Sequence, residues 1–369
     1  VANEKLRVRF LLALFTSGVI AVLFGAPGIA VAFSTNPIPV GIGPEAIAVN
    51  PTTNRIYVTD LGSAPDQGGS VTVIDGATNV TTTVPVGIGP SAIAVNAKTN
   101  QVYVANKGYS TPGDTVTVID GRTNATSTVT VGLGPSAIAV NPTTNRIYVA
   151  NSGDVTVTAI DGRTKQTITI PLGEAPNRIA VNPTTNKVYV AVVDGVFVID
   201  GRTNATMKIS TGYVNGAIAV DSTTNKIYVA GGISPGTVVV IDGATNATTT
   251  VPVALGPLAI AVNPVTNKIY VASNLHHGNQ VTVIDGATNA TTILTVCTQP
   301  NALAVNSATD KIYVSCSYGS DYVDVIDGRT NGQVSVPVGA GVEAVAADVA
   351  TNRAYSADFV GNTVTEISP

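Results

Sequence analysis

The residues able to do chemistry are few and widely spaced. Both histidines of the chain, His276 and His277, sit side by side in the segment SNLHHGN. Adjacent imidazoles can ligate zinc or copper, but two ligands with no fixed third fall short of a metal site. A hydrolytic triad needs a base beside its nucleophile, and no lone histidine stands next to a distinctive serine or cysteine. The two cysteines, Cys297 and Cys316, do not form the CxxCH pattern of haem attachment. No catalytic residue, metal or cofactor is therefore expected. The remaining chemistry belongs to carboxylates, amides and cations, whose value depends on where the chain places them.

Placement is governed by a repeat. Tyr57, Tyr103, Tyr148, Tyr189, Tyr228, Tyr270, Tyr313 and Tyr355 recur at intervals of 39 to 46 residues. Each lies in a frame that reads NPTTNRIYV at residues 50–58 and returns as NAKTNQVYV, NPTTNKVYV or NPVTNKIYV. A second frame, VIDGATN at residues 73–79, follows it, and a third, GPSAIAV, precedes it. Every unit thus holds four short apolar runs rich in β-branched residues, too short for helices. The Asn-Pro-Thr-Thr-Asn and Asp-Gly segments between them are turn formers. Such a unit is a four-stranded antiparallel meander, and stacking the units face to face around an axis buries both faces of each sheet. An all-β, eight-bladed β-propeller is predicted, with seven blades plus a divergent partial unit as the alternative. The small residues of runs such as Ala46-Ile47-Ala48-Val49 suit the crowded innermost strand. The last unit stops at TVTEISP, and residues 34–44, STNPIPVGIGP, resemble the missing fourth strand. An N-terminal strand should therefore complete the last blade and remove the free sheet edges.

Composition agrees and narrows the partners. Charged residues make up 11% of the 369-residue chain against roughly 25% in typical domains, and hydrophobic residues make up 44%. Disorder is excluded. A net charge of −4 leaves no broad basic surface, which argues against nucleic acid as a partner. Lys5, Arg7 and Arg9 precede an apolar run at residues 10–24 and the small residues AVA at 30–32. This layout reads as an export signal cleaved after Ala32, with an uncleaved membrane anchor as the alternative. The domains are then 1–32, signal or anchor, and 33–369, a single propeller.

The segments IYVTD at residues 56–60 and VYVAN at 102–106 give the repeat its family likeness. The chain resembles the YVTN family of β-propeller repeats over essentially all of residues 35–369. The resemblance implies an exported or surface-layer protein of bacteria or archaea, a group in which most members have no assigned activity. Related propellers include lyases acting on cyclic peptide antibiotics and a periplasmic binder of single-stranded DNA.

Positions shared by all units serve the scaffold, and positions that differ are free for function. The repeated Asp of IDG and Asn of TTN are read as turn stabilisers. The segments after IYV vary most, so the end of the ring that carries them is the candidate functional face. The residue opening the first run of each unit is Glu45, Ser91, Ser136, Asn177, Gly216, Leu258, Asn301 and Glu343 in turn, around the channel mouth. Glu45 and Glu343 fall in units adjacent across the closure, and Arg178 replaces an otherwise repeated alanine. Glu45, Asn177, Arg178, Asn301, Glu343, His276 and His277 are the ligand-binding candidates, at a polar mouth suited to a small ligand or cation. Cys297 aligns with Gly87 and Cys316 with Asn151, points that meet at one end of an antiparallel pair, which predicts a Cys297–Cys316 disulfide. Five Asn-x-Thr sequons, at Asn79, Asn124, Asn204, Asn246 and Asn289, share the Asp-Gly turn. They are glycosylation candidates, although Asn and Thr suit this turn on their own merits.

The expectation is an exported, monomeric binding scaffold without catalysis, whose partner is an unknown protein or a component of the cell envelope. Membrane contact would come only through residues 1–32. The alternatives are a lyase or metal-dependent hydrolase working at the channel mouth, and a structural surface-layer component.

Overall fold

The computed structural model describes residues 33–63, 66–214, 216–232, 234–275, 278–316 and 321–369. The expected signal or anchor at 1–32 and the histidine pair His276–His277 lie outside them. Thirty-two strands form eight four-stranded antiparallel sheets, with no helix among the described residues. Blades 1 to 7 span residues 44–88, 90–130, 135–171, 178–210, 218–253, 257–295 and 300–337. Blade 8 takes three strands from 342–368 and its fourth from Ser34–Pro39. The eight-blade expectation holds, and the seven-blade alternative does not.

Neighbouring innermost strands pack on one another around the whole ring, blade 8 on blade 1 included. Most of these strands keep the Ala-Ile-Ala-Val alternation, because only small side chains fit where eight strands converge, while blade 4 opens on Arg178 and blade 8 reads Ala-Val-Ala-Ala. The second strand of each blade is the most buried, and its alternation feeds both gaps between blades. Tyr57 of blade 1 packs with Val102 and Val104 of blade 2, while Ile56 and Val58 pack with Tyr355 of blade 8. Eight such clusters fill the eight gaps, and all eight tyrosines are fully buried. Burying a large aromatic between sheets is the main favourable term at each joint.

The repeated polar residues do more than shape turns. Asn50 Oδ1 accepts the Thr52 amide at 3.1 Å, a turn cap, while its Nδ2 donates to Asn100 Oδ1 of the next blade at 2.8 Å. Asn96, Asn141, Asn182 and Asn306 reach Asn145, Asn186, Asn225 and Asn352 at 2.7–2.9 Å, and Asn263 reaches Asp310 at 2.7 Å. Across the closure, Asn54 with its amide turned over donates to Asp348 at 3.3 Å. The first residue of the Asn-Pro-Thr-Thr-Asn segment thus ties a blade to the last residue of the same segment next door at seven of the eight joints, and the joint of blades 5 and 6, where Asp221 faces Asn267, shows no such bond among the described residues. That last residue sits at positive φ (50° at Asn54, 53° at Asn100), a conformation asparagine tolerates. Gly76 packs so tightly on Asn54 that a Cβ there would lie 2.2 Å from Oδ1, which explains the glycine of the Asp-Gly frame.

A second set of ties runs outside the first. Arg55 donates to Gly121 O at 2.6 Å, Arg146 to Gly201 O at 2.9 Å and Lys187 to Gly243 O at 2.7 Å, each in the following blade. Arg353 of blade 8 donates to Gly76 O of blade 1 at 2.7 Å and closes the set. Replacing Asn141 by Ala removes a cap and leaves the half-buried Asn186 oxygen without its donor. A loss of about 1–3 kcal/mol is expected, read as a lower urea midpoint at unchanged slope. A loss below ~0.5 kcal/mol would reduce these ties to bystanders.

Candidate ligand site at the channel mouth

The two ends of the ring differ. The Asn-Pro-Thr-Thr-Asn and Asp-Gly turns share one end, where Gly76 N donates to Asn54 O at 2.8 Å. The Val-Gly-x-Gly-Pro links and variable loops share the other, where Leu61 N donates to Gly43 O and Gly62 N to Ile42 O at 3.1 and 3.0 Å. Strand alternation therefore places the variable loops around one mouth of the channel, as expected from the sequence.

At that mouth the structure gathers some predicted residues and separates others. Glu45 and Glu343, on the adjoining innermost strands of blades 1 and 8, line one cavity of about 420 Å³ with Leu61, Ser91, Lys107, Tyr109 and Phe359. Asn301 of blade 7 supports Glu343, with Nδ2 lying 3.4 Å from its carboxylate and 3.3 Å from its carbonyl. The buried Ser315 hydroxyl donates to Asn301 Oδ1 at 2.5 Å and holds that amide in place. Asn177 and Arg178 belong to blade 4, half a ring from blade 8, and line no part of this cavity.

Burial is the main reason that the Glu45 carboxyl is raised to about 7, opposed by Lys107 and reinforced by Glu343. Burial also raises Glu343, against the hydrogen bond from Asn301. Lys107, Tyr109, Leu61 and Phe359 were not singled out by sequence reasoning, although three of them stand in loops recognised as variable. The missed signal is positional: Leu61, Lys107 and Phe359 occupy the same slot of the repeat, the residue directly after Asp60 or its counterparts Asn106 and Asp358. Gly43, at φ 67°, leaves the room they need, since a Cβ there would lie 3.3 Å from the Phe359 ring and 3.5 Å from Leu61.

Just below the rim, several blades are pinned by a polar clip at the end of the second strand, whereas blade 4 holds Val192 there and blade 5 Gly231. In blade 1, Asp60 accepts the Thr72 and Ser70 hydroxyls at 2.7 and 3.0 Å. In blades 2 and 3, Asn106 and Asn151 take the same place and donate to Thr117 and Thr158 at 3.0 and 2.9 Å. In blade 7 the slot holds Cys316, joined to Cys297 by a disulfide with a Cα–Cα distance of 5.9 Å. Asp324 accepts the Cys297 amide at 2.7 Å and the Ser335 hydroxyl at 2.6 Å beside it.

At the opposite end, the sequon side chains are half-buried against the neighbouring blade. Asn79 Nδ2 donates to Glu366 at 2.7 Å, and Asn204 Oδ1 accepts Arg146 at 3.2 Å. The Asn124, Asn246 and Asn289 turns repeat this geometry, with φ of 61–62°. Asp75 caps the same turn by accepting the Ala77 and Thr78 amides, both at 3.0 Å.

The carboxylates make stability depend on pH in two windows. Glu45 and Asp60, raised by burial to about 7 and about 6, hold protons in the folded state that the unfolded chain releases. Stability therefore falls as pH rises from about 4 to 7. Asp75, Asp120, Asp200 and Asp285 are held low chiefly by hydrogen bonds from their own turns. Their contribution is present above the ordinary carboxylate range and is lost as pH falls below about 4. Maximal stability is expected near pH 4–5, with a loss on the order of 3 kcal/mol by pH 8 after solvent screening. The double change Glu45→Gln, Asp60→Asn should flatten that loss in urea titrations at pH 5 and 8. An equal or steeper loss in the variant would refute the assignment.

No family model matches the chain, and no curated protein sequence matches it. Among solved structures it is similar to Kuenenia stuttgartiensis hydrazine synthase, at 21% identity over 76% of this chain and 96% of that one, with a TM-score of 0.62. It is also similar to the β-propeller domain of Myceliophteria thermophila Cps50 (Swd1), at 10% identity over 77% and 98% of the two chains, with a TM-score of 0.59. At these identities the likeness is one of fold, and it agrees with the β-propeller architecture seen here.

Proposed function

We propose that this protein is an exported, YVTN-like β-propeller that acts at the cell surface or outside the cell as a binding scaffold, without catalysis of its own. The observation that carries the reading is where the chain departs from its own repeat. Both acidic residues of the strand-opening slot, and Leu61, Lys107 and Phe359 of the loop slot, fall together on blades 8, 1 and 2 and line one cavity. A rigid closed ring presenting such a sector binds with little ordering cost. Export is supported by the signal-like pattern at residues 1–32 and is consistent with the Cys297–Cys316 disulfide.

The test is a thermal-shift panel against divalent metals, saccharides, peptides and oligonucleotides. Stabilisation by one class, lost in Glu45→Ala and in Phe359→Ala, supports a binding face at this mouth. No shift with any class, together with ordered self-assembly seen by electron microscopy, would replace the reading with a structural surface-layer role. One observation favours a second reading. A carboxyl raised to about 7, as at Glu45, can exchange protons at neutral pH, as a lyase base would. Turnover abolished by Glu45→Gln would establish it.

A further inference from the structure

The cavity at Glu45 and Glu343 does not stand alone. A second cavity of about 440 Å³ opens beside it, lined by Ile42, Val360 and Asn362, and the two share Leu61, Tyr109 and Phe359. Ile42, Tyr109, Phe359 and Val360 are 37–69% exposed, an apolar cluster that the fold itself does not require. The inner cavity is carboxylate-rich and the outer one apolar, with two aromatic rings on the boundary. Glu45 and Tyr109 line the same inner cavity, so the polar and aromatic parts are one surface.

We propose that this double cavity binds the free amino end of a peptide that begins with a large apolar residue. The proposal rests on the binding-scaffold reading above and names its ligand. Charge complementarity selects the ligand at the inner end, where Glu343 and Glu45 repel each other and one ammonium relieves both. An ammonium donates three hydrogen bonds, matching two carboxylates and the Ser91 hydroxyl on the same wall. The aromatic boundary suits a cation on one side and an apolar side chain on the other. The outer cavity takes that side chain against Ile42, Leu61 and Val360. Lys107, on the inner wall, opposes the incoming ammonium as well as part of the repulsion between the carboxylates, so the wall of two carboxylates and one lysine has room for one cation and not for two.

The test is titration calorimetry with phenylalanyl-leucine amide, its N-acetyl counterpart, glycyl-glycine amide and calcium. Saturable binding of the first is expected, weakened at least tenfold by N-acetylation and by loss of the apolar side chains. Glu45→Gln and Glu343→Gln should each weaken it several-fold, and Phe359→Ala should do so without abolishing the preference for a free amine. Equal binding of the acetylated peptide, or binding of calcium in place of the amine, overturns the proposal. Absence of peptide binding while another ligand class still protects this mouth overturns the proposal and leaves the scaffold reading standing. Absence of any ligand at this mouth removes both.

Discussion

Removing residues 33–39 is expected to open the ring and leave a chain that unfolds well below the intact protein or aggregates. The strand Ser34–Pro39 pairs along its whole length with Thr363–Ser368, from Ser34 opposite Ser368 to Pro39 opposite Thr363. Without it, blade 8 exposes a row of unpaired backbone groups, which is a template for association. Ile38, only 2% exposed, also leaves the cluster that joins Ile56 and Val58 to Tyr355 and Val364. The single change Ile38→Ala should cost roughly 2–5 kcal/mol, and loss of the whole strand more. A peptide covering residues 33–43 added in trans should restore cooperative unfolding to the truncated protein. A circular permutant makes the complementary case: Ser34 and Ser368 hydroxyls lie 2.7 Å apart, so a short link from Pro369 to Phe33 makes a hairpin. New ends in the exposed turn at 202–204 would make the fourth strand of blade 4 the closing strand instead. That permutant should fold and no longer depend on Ile38 for closure. A truncated chain as stable as the intact one would contradict this picture of the joint.

Breaking the Cys297–Cys316 bond is expected to have the next largest effect. It spans 19 residues, for which loop closure alone suggests about 3 kcal/mol. The bond stands where other blades use hydrogen bonds: at Gly87, a Cβ would lie 2.5 Å from Asn106. The double change to alanine removes the bond and supplies no replacement, so a loss of about 2–4 kcal/mol is expected. The change Cys297→Gly with Cys316→Asn restores the glycine and asparagine of blade 2, with Asp324 in place of Thr117 as the acceptor, and should recover part of that loss. Urea unfolding with and without a dithiol reductant checks both. Reduction should destabilise the natural protein and leave the two variants unmoved. A natural protein indifferent to reduction would show that the bond adds nothing.

Spacing made the architecture legible, because every strand and turn recurs eight times in phase. Phase also placed Glu45 beside Glu343, since equivalent positions in adjacent units must be neighbours, and Cys297 beside Cys316, since antiparallel pairing brings the start of a blade's first strand to the end of its second. Contacts between non-equivalent positions were harder to foresee. The bond from Asn50 to Asn100 joins the first residue of one frame to the last of the next, and only the curvature of the ring brings them together. Those asparagines, expected to stabilise turns, do so and tie blades as well. The aromatic boundary was hidden for a different reason. Phe359 and Tyr109 lie in short loops whose course is set by tertiary packing, and their exposure emerges only when three blades are seen together. Arg178, conspicuous in sequence, stands across the ring because unit number fixes its direction from the axis.

The most direct test is a hydrogen-exchange map of the protein with and without the ligand that stabilises it in the thermal-shift panel. Protection is expected at residues 41–45, 107–112, 341–343 and 358–362, on the loop end of blades 8, 1 and 2, with blades 4 and 5 unchanged. Protection confined to the Asp-Gly turns at the opposite end, or spread evenly around the ring, would contradict a binding face at this mouth.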